Sequence, residues 1–164
     1  MSGAFIASPE FIKNLDEWLF KNDQKYADFL YRNKSNIPQY FRSYAKPLYR
    51  GMSVNADFVN TLLTKGVTFD KHTSWTQDQK MAEKFANDPA FSTGKTSGET
   101  KILIKKGIPA TSIILDIYGF VNYMGVGQLG MLGFDETSLD SAMKEKEVLI
   151  SKGVKITKSN VVFL

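Results

Sequence analysis

From Ile117 to Phe134 the chain runs 18 residues without a charge, the length at which an apolar segment can cross a bilayer. Five glycines, Asn122 and Gln128 interrupt that run. It is therefore expected to be a glycine-rich loop with strand pieces, and the protein to be soluble and cytoplasmic. At the N-terminus no basic residue precedes Phe5-Ile6-Ala7, and Pro9 and Glu10 cut the apolar run short, so no signal peptide is expected. The remaining composition suits one domain over residues 1–164, with 43% hydrophobic and 23% charged residues. Having no cysteine excludes disulfides, zinc ribbons, thiol nucleophiles and iron–sulfur clusters. His72 is the only histidine, which excludes a two-histidine metal site, and no metal is expected. No GxSxG element accompanies it. The net charge of +4 is spread over scattered lysines, too weak a footprint for nucleic acid.

Local signals divide the chain into helices over 1–46 and a β-rich core over 47–164. Ser8-Pro9-Glu10 sets an N-cap before Phe11, Ile12, Leu15, Trp18 and Leu19 at helical spacing. A second helix is expected from Gln24 to Asn33, a short one from Ala56 to Lys65, and another from Asp78 to Asn87. Strands are expected at Leu48-Tyr49-Arg50, from Val67 toward Thr76, at Lys101 to Lys106, and at Ser112 to Ile117. Glu147 to Ile150 and Val154 to Thr157 read as a pair joined across Ser151-Lys152-Gly153. Helices first and strands last, without βαβ alternation, predict an α+β fold with a mainly antiparallel sheet.

Two nucleotide motifs are excluded by context. Gly125-Val126-Gly127-Gln128-Leu129-Gly130 spells GxGxxG, but too little chain follows for a dinucleotide-binding half. Thr93-Gly94-Lys95-Thr96 ends like a phosphate loop, yet Pro89 stands where the leading glycine belongs, and Ser92 to Thr100 reads as a flexible loop. Three polar features remain. Arg50 closes a strand beside Gly51, as a surface arginine or as a bidentate anion clamp. Ser74-Trp75-Thr76 precedes a helix, as a cap or as a source of directed hydroxyls. Glu145 and Glu147 flank Lys146 where a strand begins, as a charged face or as paired carboxylates.

Arg50, then Ser74-x-Thr76 before a helix bearing Ala82-x-x-Phe85, then a glycine-rich loop, then Glu145-x-Glu147-Val-Leu-Ile: this order resembles the R-S-E class of mono-ADP-ribosyltransferases. The resemblance covers about Leu48 to Ile156 and implies two facing, mainly antiparallel sheets behind an N-terminal helical layer. It implies NAD as a substrate, no metal, and an acceptor arginine on a target protein. By the same resemblance Glu147 is the catalytic glutamate at the ribose, and Glu145 orients and deprotonates the arginine. Arg50 anchors the NAD phosphate, Gly51 lets the backbone approach the nicotinamide amide, and Phe85 stacks on nicotinamide. Ser74 holds Glu147 by a hydroxyl hydrogen bond, and Thr76 keeps the hydroxyl of the motif's third place. Trp75 departs from the family pattern at the second place. Phe134 or Tyr123 would contact the target protein. Small size and the absence of a leader resemble phage-encoded enzymes that modify host proteins, or a toxin fragment. The rival readings are an NAD glycohydrolase, a non-catalytic module that docks on a host protein, and a nucleic-acid modifier of the same fold.

Overall fold

The computed structural model describes residues 7–88 and 100–164. Helix α1 (Pro9–Lys21) starts where Ser8 Oγ accepts the Phe11 N–H at 3.1 Å, and ends at Asn22 in the left-handed region, φ 56°. Phe11, Leu15 and Trp18 fall on one face by the 3.6-residue period and are buried. Helix α2 (Gln24–Arg32) is capped by Asp23 and buries Ala27 and Leu30. Two single 3-10 turns lead to strand β1 (Leu48–Val54), and helix α3 (Ala56–Thr64) follows.

Strand β2 (Val67–Thr68) and strand β3 (Thr73–Thr76) are separate, so the continuous run expected from Val67 is broken. Helix α4 (Gln79–Asn87) follows β3, and strand β4 (Thr100–Lys106) and strand β5 (Ile113–Leu115) come next. The Thr93–Thr96 motif and the loop expected from Ser92 to Thr100 lie outside the described residues except for Thr100, which opens β4.

The charge-free stretch is helical, against the loop expected of it. Asp116 caps helix α5 (Ile117–Met124) by accepting the Gly119 N–H at 2.9 Å, and Ile117, Phe120 and Val121 form its buried face. Gly125, at φ 85°, ends α5 and opens helix α6 (Val126–Met131), which contains the other two glycines of the GxGxxG string. Helix α7 (Glu136–Glu145) precedes strand β6 (Glu147–Ile150). The glycines did not prevent helix because burial of one apolar face outweighs a propensity loss of about 1 kcal/mol per glycine. Three helices thus stand between β5 and β6, so helices and strands interleave.

A six-stranded antiparallel sheet runs in the order β5-β6-β3-β1-β4-β8, where strand β8 is Val161–Phe163. Strand β7 (Lys155–Ile156) pairs with β2 in a separate two-stranded ladder and not with β6 as expected. In place of two facing sheets there is this single order, but its halves barely join. β1 and β3 share one register pair, Tyr49 with Thr76, whereas β1 and β4 share seven pairs and β3 and β6 share four. One apolar core packs α1, α2, α5, α6 and α7 onto Leu115 and Leu149; a second covers the opposite face, with Leu48, Met52, Trp75, Ile104 and Val148. No helix among the described residues is long and apolar enough to cross a membrane.

Candidate active site

β3 and β6 carry the central pair of side chains. Antiparallel pairing sets Thr76 opposite Glu147 and Ser74 opposite Leu149, so Ser74, Thr76 and Glu147 share one face of the sheet. Glu147 is 8% exposed. Its Oε2 accepts the Ser74 hydroxyl and, at 3.0 Å, the indole N–H of Trp18 from α1. Among the described residues no donor reaches Oε1. Burial raises the Glu147 carboxyl above its ordinary range, and the two donors work in the opposite direction.

Glu145 ends α7, and Lys146 turns the chain into β6 through the left-handed region, φ 47° and ψ 52°. The two glutamates therefore do not alternate along one strand: one leaves a helix end, the other enters the sheet. Thr76 Oγ1 donates to the Glu145 carbonyl at 2.6 Å and accepts the Asp78 N–H at 3.0 Å, joining β3, the start of α4 and this turn. Gln77 adds its N–H to the Lys146 carbonyl at 3.2 Å, and its side chain donates to Asp116 at 3.0 Å. Burial and the neighbouring Glu147 charge raise the Glu145 carboxyl to about 7. That value suits a group that gains and loses protons near neutral pH.

A cleft of about 880 Å³ opens between α4 and α7, with Phe85, Met81, Lys84, Ser141 and Glu145 in its walls. It brings together Phe85 and Glu145 of the expected residues. Arg50, Ser74, Thr76 and Glu147 are not in its lining: Ser74 and Glu147 are joined by the serine hydroxyl, Thr76 is tied to the Glu145 turn, and Arg50 reaches only the Ser74 backbone. Arg50 Nη1 donates to the Ser74 carbonyl at 2.6 Å, its guanidinium lies 5.8 Å from the Phe69 ring centre, and its enclosed Nε has no partner among the described residues. Burial lowers its pKa to about 10, so it stays charged at neutral pH. The register sets Tyr49 beside Thr76, so alternation puts Arg50 on the opposite face of the sheet from Glu147, with Leu48 and Met52 of the second core, and the expectation that Arg50 joins Ser74 and Glu147 in one site is corrected. The Arg50 to Ser74 bond bridges β1 and β3 where their ladder has only one register pair.

Two further expectations are corrected. A Cβ at Gly51 would stand 1.7 Å from the Ala82 carbonyl oxygen and 2.8 Å from the Ala86 nitrogen, so that side of Gly51 is closed by α4 and not open to a ligand. The glycine is needed for helix-on-strand packing. Phe134 is 4% exposed inside the first core, against the expectation that its ring could face a target; Tyr123 is 54% exposed beside Tyr40 and Phe41. Trp75, the departure from the family pattern, is buried in the second core with its N–H on Thr73 Oγ1 at 2.8 Å.

Trp18, one position of the apolar stripe in the sequence, belongs to the Glu147 site although no motif contains it. Its signal was that an indole carries one donor, which has to find an acceptor when buried. His72 is buried away from this chemistry: Nε2 meets Asp28 at 2.8 Å, Nδ1 accepts the Lys152 N–H at 3.0 Å, and Gln24 binds its backbone twice. Comparison with known proteins gave no match to a family model, a curated protein or a solved structure.

Proposed function

We propose that the chain is a mono-ADP-ribosyltransferase that moves ADP-ribose from NAD to an arginine of a protein in the host cytoplasm and releases nicotinamide. The observation that carries this reading is the paired carboxylates. Glu147 is buried with one oxygen held by two donors and the other without one among the described residues, and Glu145 stands two positions earlier on the wall of a cleft with its carboxyl at about 7. Breaking the bond between ribose C1′ and the nicotinamide nitrogen sends the electron pair to nicotinamide and leaves positive charge on the sugar. A fixed carboxylate next to the ribose stabilises that charge as it develops, and being held in place it needs no reorganisation to do so. The acceptor guanidinium is a poor nucleophile while protonated. Glu145, ionised in part at neutral pH, takes that proton as the new C1′–N bond forms. The ordered resemblance to the R-S-E class supports the same assignment.

The test is incubation of the purified protein with NAD labelled in the ADP-ribose portion and a cell lysate, followed by mass spectrometry of the labelled band. Label on an arginine that is absent with Glu147→Gln supports the proposal. Free ADP-ribose without labelled protein makes the chain a glycohydrolase. Neither product, with nicotinamide still bound in NAD, removes the enzymatic reading and leaves docking.

A further inference from the structure

We propose that Trp18 is a positioning residue for Glu147, so that the N-terminal helix is part of the active site and not only a cover for the sheet. The inference rests on the transferase reading for its kinetic consequence, but its geometric basis is independent of it.

Trp18 is 2% exposed, one helical turn beyond Leu15 on the buried face of α1, and its ring belongs to the first core. An indole there could have pointed its single N–H at a backbone carbonyl. It instead crosses 129 positions of sequence to reach a carboxylate oxygen, at 3.0 Å. The Ser74 hydroxyl binds the same oxygen from β3. Two donors converging from two elements remove the rotational freedom of the carboxylate and assign its oxygens: Oε2 faces the protein, and Oε1 is left to face a ligand hydroxyl. Ser74 alone could not do this, because a hydroxyl swings about its Cα–Cβ bond and can follow a turning carboxylate. The indole is rigid and locked by packing, so it defines one direction. Burial favours the neutral form of Glu147, and the nearby charged group is Glu145 at the end of α7, whose own carboxyl the Glu147 charge raises. The indole N–H favours the ionised form, as a donor to a carboxylate does.

Two variants separate the donor from the ring. Trp18→Phe removes the N–H and part of the volume; Trp18 replaced by benzothienylalanine keeps the bicyclic shape and puts sulfur where the N–H was. One readout needs no NAD: carbon-13 NMR titration of the Glu147 carboxyl, assigned by difference against Glu147→Gln. Both variants are expected to raise its midpoint by about one pH unit, the size that loss of one charge-assisted hydrogen bond produces. The second readout is nicotinamide release from NAD, where kcat should fall about tenfold at neutral pH with KM for NAD nearly unchanged, and the acid limb should move to higher pH by the same amount. A midpoint that stays in place in the benzothienylalanine variant overturns the proposal. So does a rise in KM with kcat kept. If the wild-type protein releases no nicotinamide, the transferase reading falls, and the NMR titration still decides the role of Trp18.

Discussion

Replacing Glu145 by Gln should change how the stability of the fold responds to pH. Burial and the Glu147 charge raise the Glu145 carboxyl from 4.5 to about 7 in the folded protein. Between those values the folded state keeps a proton that the unfolded chain has released, so stability falls as pH rises across the interval. Below it both states are protonated, and above it both are ionised and the penalty is constant. At about 1.36 kcal/mol per pH unit the gap corresponds to about 3.4 kcal/mol for a fully enclosed carboxyl. Glu145 sits on the cleft wall with water on one side, and screening there leaves about 1–2 kcal/mol. Urea unfolding from about pH 4.5 to about pH 8, followed by circular dichroism, measures the difference. The wild type should lose about 1–2 kcal/mol more than the variant over that range. Glu147, also raised by burial, accounts for the slope that the variant retains. Parallel curves for the two proteins would refute the reasoning, because they would mean that the Glu145 carboxyl titrates alike in both states.

Glu147→Gln should leave the thermal midpoint within a few degrees of wild type and reduce nicotinamide release by at least about a hundredfold, since it removes a preorganised charge from the developing cation. Gly51→Ala forces a methyl against the Ala82 carbonyl, and α4 has to move; overpacking of this kind costs about 1–3 kcal/mol, read as a fall of roughly 2–12 °C in Tm by calorimetry. Gln24→Ala removes both side-chain bonds to the His72 backbone and should destabilise by about 1–3 kcal/mol in chemical unfolding.

How legible the molecule was depends on how local each signal is. The cap at Ser8 and the stripe through Phe11, Leu15 and Trp18 are set by neighbours a few positions away, and the structure has them where the pattern predicts, whereas the strand expected to close at Arg50 starts at Leu48 as expected but runs on to Val54. The Ser74 to Glu147 bond came from a motif order and is present in the structure. The stretch after Asp116 misled because glycine counts speak of propensity, whereas the helices there are decided by what Ile117, Phe120 and Leu129 pack against. Strand partners were misassigned for a related reason: a short turn at Ser151-Lys152-Gly153 allows a hairpin, but β6 finds β3 and β5, and β7 finds β2, through contacts far along the chain. Gly51 was read for what its missing side chain offers a ligand, and its neighbour turned out to be a helix. Phe134 illustrates the limit on aromatics: composition tells that a ring is present, and only packing tells which way it faces.

β1 and β3 meet at a single pair of residues, so the cohesion between the two strand triplets comes mostly from the apolar layer that runs beneath both. Backbone ladders are directional and lock an angle; burial of greasy surface is not and tolerates sliding. The sheet therefore resembles two stiff plates held edge to edge by packing and stitched by the Arg50 guanidinium, so that the seam, more than either plate, depends on side chains.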